Sequence, residues 1–276
     1  MVTRFGWKQA SGRLALACIL FSSASWLLCT LAAGLAGFGG VESTLLGNLG
    51  GILAVALCDI VYGKRSLSYV GGDLDLVSYG VAMVFVWVSC QGLSGFLYHT
   101  LGSSGWEQVQ AEAAGVPAAL VLLWYLVSAP VLEELLVRHL FYGMAVNAFP
   151  MLDGLLAIAT SVLFGGMHGN IAQGFPGVVC GMLFCYVYRQ FGLLGSIWCH
   201  FLFNLYSILF PMAYPDACAG LSSGGWIGGF YFLAGIVAVF WILHVFPARG
   251  HIAETRLGPL DYQPDIRLED AEDMFF

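Results

Sequence analysis

Apolar runs long enough to cross a bilayer recur along nearly the whole chain, and no other feature restricts its fold so strongly. A bilayer core of about 30 Å takes roughly 20 helical residues. Leu14 to Gly37 alone supplies more than that. Backbone N–H and C=O groups in hydrocarbon must be paired within their own segment, so runs of this length fold as helices. The composition agrees: of 276 residues, 59% are hydrophobic and 10% charged, with a mean hydropathy of +0.82. This is an all-α, polytopic membrane helix bundle by expectation, and soluble folds are excluded.

Eight spans are expected. They run from Leu14 to Gly37, Leu45 to Tyr62, Leu76 to Leu97, Val116 to before Pro150, Leu152 to His168, Phe175 to Tyr188, Leu193 to Phe210 and Trp226 to Phe246. The first follows Arg4, Lys8 and Arg13 and imitates a signal peptide, but it is longer than the h-region of roughly 7–15 residues that such a peptide carries. Between the third and fourth spans, Glu107, Gln108, Gln110 and Glu112 read as a polar loop. Gly177-x-x-x-Gly181 has the small-residue spacing that lets helix backbones approach in lipid. No repeat relates the two halves of the chain, which argues against a transporter built on repeated halves.

Threaded alternately, eight spans leave Arg4, Lys8, Arg13, Lys64, Arg65, Arg189, Arg249, Arg256 and Arg267 on one side. That side is the cytoplasm by the positive-inside rule, so both termini are expected there. Residues 1–246 read as one membrane-embedded domain and 247–276 as a charged cytoplasmic tail. The net charge of −7 says little about partners, because seven of the 17 acidic residues lie after Phe246. No basic patch suggests nucleic acid. The eight cysteines contain no Cys-x-x-Cys pair, and seven fall in or at the ends of apolar runs, so neither a disulfide framework nor a cysteine metal site is expected.

Against this background Glu133-Glu134-Leu135-Leu136-Val137-Arg138 stands out, since ionised groups at membrane depth persist only beside a partner, a cavity or chemistry. Glu134 and Arg138 are one helical turn apart and can pair, whereas Glu133 points about 100° away. A buried salt-bridge cluster that only fixes helix packing would need no more than these three residues. Two further pairs extend the pattern: Phe164 with His168, and His200 with Asn204, each at i,i+4 on its own apolar helix. The first has two glycines between its members, thinning the helix so that another group can come near. The second sets a histidine and a carboxamide on one face, suited to holding a water or a polarised carbonyl.

In this order, Glu-Glu-x-x-x-Arg, Phe-x-x-x-His and His-x-x-x-Asn resemble the motifs of the CAAX protease and bacteriocin-processing family, the type II CAAX prenyl endopeptidases, which are intramembrane proteases. The resemblance covers Val116 to Phe210. It implies hydrolysis of a peptide bond in a membrane-associated or lipidated peptide or protein, with the lipid bilayer as the other partner. Glu133, Glu134, His168, His200 and Asn204 are the implied catalytic set, with Arg138 and Phe164 as structural support. His168 and His200 with Glu133 would also make a three-ligand site for a divalent metal such as zinc. Without metal, a glutamate would act as general base while the histidines and Asn204 stabilise the oxyanion. No His-Glu-x-x-His sequence is present. Glu134 has Arg138 in the favourable order, so Glu133, which lacks a local cation, is assigned to water activation.

Two other functions compete: a non-catalytic scaffold or immunity-type protein of the same fold, and a proton-coupled transporter. His99, His139, His244 and His251 sit among polar, interfacial or tail residues and read as structural or solvated. A reporter fused after Phe276 should report a cytoplasmic C-terminus, and an exported signal would refute the eight-span threading.

Overall fold

The computed structural model describes residues 4–61, 76–102, 104–143, 145–146, 149–213 and 233. Among them there is helix and no strand. The Lys64-Arg65 turn, the span from Trp226 apart from Leu233, and the tail lie outside the described residues. In chain order the helices are α1 (Arg4–Leu35), α2 (Gly40–Val61), α3 (Leu76–Leu101) and α4 (Ser104–Ala113). They are followed by α5 (Ala118–Gly143), α6 (Asp153–Gly166), α7 (Ile171–Arg189) and α8 (Phe191–Phe210). Five of them are long and apolar enough to cross a membrane, and α3 and α6 carry shorter apolar stretches, Met83–Tyr98 and Asp153–Gly166.

The stretch expected to be a polar loop after α3 is instead the helix α4. Its Ala, Gln and Glu residues are good helix formers, and Gln108 bonds Glu112 one turn on at 2.9 Å. The Tyr98 hydroxyl donates to Glu107 at 2.8 Å, docking α4 against the end of α3. α7 and α8 form one helical run, Ile171–Ala213, broken at Gly192 with φ +69° and ψ −167°, a conformation that a side chain would resist.

α5 is wound unusually. It begins after Pro117, passes into a π-helical stretch over Leu123–Ser128, returns to α-geometry for Ala129–Glu133 and becomes π-helical again over Glu134–Gly143. Pro130 gives a reason for the first stretch: it has no N–H for an i→i+4 bond to the Leu126 carbonyl or an i→i+5 bond to the Tyr125 carbonyl, so the regular ladder is interrupted ahead of it.

Close approach between α6 and α7 depends on glycine. A Cβ on Gly165 would fall 2.3 Å from the Gly174 carbonyl oxygen, one on Gly177 would fall 3.0 Å from the Gly165 Cα, and one on Gly181 would fall 2.9 Å from the Ser161 Cα. At one end α5, α6 and α7 are tied together by Asp153. It accepts from the Tyr142 hydroxyl at 2.5 Å and pairs with Arg189 at 2.7 Å. The core between these elements holds Val55, Val86, Val137, Leu140, Phe184 and Val187, each no more than 1% exposed.

The two glycines between Phe164 and His168 are thus unequal: Gly165 meets backbone, whereas nothing lies within 4 Å of a Cβ on Gly166. Gly165→Ala should cost about 1–3 kcal/mol, because backbone has to move, while Gly166→Ala should leave stability unchanged or raise it slightly. Thermal unfolding of the two variants in one detergent checks the asymmetry.

Candidate active site

Glu134 and Arg138 are both wholly excluded from solvent, and Glu134 Oε1 lies 3.1 Å from Arg138 Nη1. The contact is an ion pair without hydrogen-bond alignment, since Nη1 and Nε have no hydrogen-bond acceptor; Nη2 donates to the Gly181 carbonyl at 3.3 Å. Aromatic rings cover the guanidinium. Its Cζ stands 4.3 Å from the Phe164 ring centroid and 5.2 Å from that of Phe184. A desolvated cation over such a face gains about 2 kcal/mol, so the charge is balanced by one carboxylate, one carbonyl and two rings.

The same carboxylate oxygen, Glu134 Oε1, is 2.9 Å from His200 Nδ1 on α8. An ionised carboxylate only accepts, so Nδ1 donates and Nε2 is the ring atom left for other work. His200 Nε2 lies 3.7 Å from Glu133 Oε2. The imidazole therefore stands between two successive glutamates that leave the helix in different directions. Their surroundings differ as sharply as their directions: the Glu134 side chain is 0% exposed and that of Glu133 is 24% exposed. Glu134 Oε2 is buried and without a hydrogen-bond partner, an unmet demand of the kind that native proteins keep at functional sites.

Both histidines lie against the ring of Phe164, edge-on, with centroid separations of 5.1 Å for His168 and 5.6 Å for His200. His168 Nδ1 is 3.0 Å from its own Phe164 carbonyl. A carbonyl accepts, so this nitrogen carries the proton and Nε2 is free to accept. Asn204, 7% exposed, donates from Nδ2 to the Tyr125 carbonyl at 2.8 Å. Glu133, Glu134, Arg138, Phe164, His168 and His200 thus form one connected cluster. Asn204 is anchored one step away, on the π-wound stretch of α5 ahead of the glutamates.

Sequence reasoning missed Phe184. Its ring stacks on His200 with centroids 4.7 Å apart at 23°, and it also helps cover Arg138. The only sequence signal was its place one turn after Gly181, whose carbonyl binds Arg138. Tyr125 was missed as well, because its contribution to Asn204 is a backbone carbonyl that any residue would supply. His139, read as structural or solvated, is 1% exposed, which leaves the structural alternative. The His99 side chain, His244 and His251 lie outside the described residues.

The zinc set of His168, His200 and Glu133 is not assembled. Among the described residues no group of three His, Cys, Asp or Glu side chains is placed to hold a metal ion. His200 Nδ1 is engaged by Glu134 and His168 Nδ1 by the Phe164 carbonyl, which leaves one ring nitrogen on each.

Residues 115–206, one third of the chain, match the family model described as type II CAAX prenyl endopeptidase, Rce1-like. This part of the chain is similar to that family. No curated protein and no solved structure matches. The matched segment contains every residue of the cluster above, and the match supports a protease working in a lipid environment on a peptide substrate.

Removing the cation should expose how tightly these groups depend on one another. Arg138→Ala strands the Glu134 carboxylate and should cost about 3–5 kcal/mol. Adding Glu134→Gln to that variant should recover part of the loss, by removing the stranded charge. Thermal unfolding of the single and double variants measures both steps.

Proposed function

We propose that the protein is an intramembrane endopeptidase in which Glu133 activates the water that attacks the scissile carbonyl. The observation that carries this reading is the inequality of the adjacent glutamates. Glu134 is sealed against Arg138 and His200, while the Glu133 side chain is partly exposed, with Oε2 3.7 Å from His200 Nε2. A general base needs access to water and a proton route, and of the two glutamates the partly exposed Glu133 beside His200 Nε2 is the one that fits that need.

In the proposed reaction Glu133 takes a proton from water as the oxygen adds to the peptide carbonyl carbon. His168 Nε2 is available to accept the second hydrogen bond of that water. Negative charge develops on the carbonyl oxygen. Asn204 has one N–H on the Tyr125 carbonyl, which orients its second N–H as a donor to this oxyanion. The proton held by Glu133 then passes to the leaving nitrogen, directly or across the 3.7 Å to His200 Nε2. The C–N bond breaks, giving a carboxylate and an amine. Glu134 holds His200 in one tautomer, Phe164 and Phe184 hold its plane, and Arg138 pairs with Glu134. The proposed substrate class is a membrane-associated or lipidated peptide, reached from the cytoplasmic side where both termini are proposed to lie.

The test compares cleavage of a prenylated C-terminal peptide by the purified protein in nanodiscs. Glu133→Gln should abolish turnover with abundance and thermal stability near wild type. Glu134→Gln should lose stability as well as activity. If Glu133→Gln cleaves nearly normally while Glu134→Gln is well folded and inactive, the two roles are exchanged.

A further inference from the structure

The catalytic cluster lies in the segment that matches the family model, whereas α1 and α2 precede that segment. Their contacts with α5 are nevertheless specific. Asn48, on α2, is 3% exposed. Its Oδ1 accepts from Trp26 Nε1 of α1 at 3.0 Å, and its Nδ2 donates to Ser128 Oγ of α5 at 3.1 Å. Ser128 Oγ in turn donates to the Trp124 carbonyl at 3.2 Å, inside the π-wound stretch. One turn along α2, a Cβ on Gly51 would meet Leu132 Cδ1 at 2.7 Å and Cδ2 at 3.4 Å. Leu132 is 4% exposed and immediately precedes Glu133.

These two contacts share a face on each helix: Asn48 and Gly51 are i,i+3 on α2, and Ser128 and Leu132 are i,i+4 on α5. α2 itself has no room to yield. Behind it, added Cβ atoms on Gly47 and Gly50 would fall 1.9 Å from Thr30 Oγ1 and 2.5 Å from Cys29 Sγ of α1, and Ser25 bonds the Gly50 carbonyl at 3.0 Å.

We propose that the α1–α2 pair is a template that fixes the rotation of α5, with Asn48 and Gly51 as positioning residues for Glu133. The proposal rests on the reading of Glu133 as the reacting carboxylate. An unpaired carboxamide in hydrocarbon costs several kcal/mol, so the Trp26–Asn48–Ser128 chain admits one rotational setting of α5. The leverage is large. A carboxylate at about 6 Å from the helix axis moves about 1 Å for a 10° rotation, and a misplacement of that size costs about a hundredfold in rate.

The experiment uses the full chain in nanodiscs with the prenylated peptide as probe. Gly51→Ala should lower kcat at least about tenfold with KM within about twofold, because the rotation acts on the reacting group and not on peptide binding. Leu132→Val alone should stay within about threefold of wild type, and Gly51→Ala with Leu132→Val should regain most of the loss, since the smaller side chain makes room for the added methyl. Asn48→Leu should also lower kcat about tenfold, with no further loss on adding Ser128→Ala. Losses that multiply in the Gly51/Leu132 pair, or unchanged kcat in Gly51→Ala and Asn48→Leu, overturn the proposal.

A second arm needs no substrate: amide hydrogen exchange should quicken over residues 123–134 in Asn48→Leu and stay at the wild-type rate over α7. Unchanged exchange over 123–134 overturns the template. If the wild type fails to cleave any peptide, the endopeptidase reading falls and this second arm still decides the proposal.

Discussion

A carboxylate and a guanidinium buried in hydrocarbon, with an imidazole on the same carboxylate oxygen, set the terms for everything around them. Each ion alone would cost several kcal/mol at this depth. Glu134, Arg138 and His200 avoid that cost only by meeting, so α5 and α8 must cross where they do. Arg138 extends the demand to α7 through the Gly181 carbonyl and to α6 through the Phe164 ring. The close α6–α7 crossing at Gly165, Gly177 and Gly181 is the packing consequence, since bulkier residues would hold these groups out of reach.

Given that framework, the division of labour between the two glutamates is a matter of helix geometry. Successive positions diverge by about 100°, so only one of them can face the arginine. The other is directed to where it is 24% exposed. His200 reads both, with one ring nitrogen on the sealed carboxylate and the other towards the open one. Stacking on Phe184 and edge contact with Phe164 remove the freedom of the ring to turn away. The cluster is thus held by neighbours from four helices, which is the preorganisation that the proposed reaction calls for.

Much of this was legible in the residues alone, and the reason is that lipid simplifies the code. Long apolar runs can only be helices, and ionised or strongly polar residues within them can only be satisfied by one another. Hence the Glu134–Arg138 pairing, the separate direction of Glu133, the Gly177/Gly181 approach and the grouping of His168 and His200 with the glutamates all followed from spacing or from the resemblance of the three motifs; that both histidines meet on the Phe164 ring did not. What escaped has no side-chain signature. α4 was hidden because a short helix outside the apolar runs depends on propensity and end contacts, such as Tyr98 to Glu107. The π-winding of α5 is a backbone event prompted by Pro130. The Tyr125 carbonyl that holds Asn204 could belong to any residue, and the aromatic stack from Phe184 looks like any other apolar position of α7. Which ring nitrogen of each histidine is engaged is likewise absent from the sequence, since it depends on the Glu134 carboxylate and the Phe164 carbonyl.

The central claim, that His200 is tied by Nδ1 to Glu134 and offers Nε2 to Glu133, can be read directly by nitrogen-15 and proton NMR of histidine-labelled protein in nanodiscs. The account predicts a low-field Nδ1 proton for His200 that survives Glu133→Gln and disappears in Glu134→Gln, with Nε2 responding to Glu133→Gln. A low-field proton that instead vanishes in Glu133→Gln and persists in Glu134→Gln would contradict it.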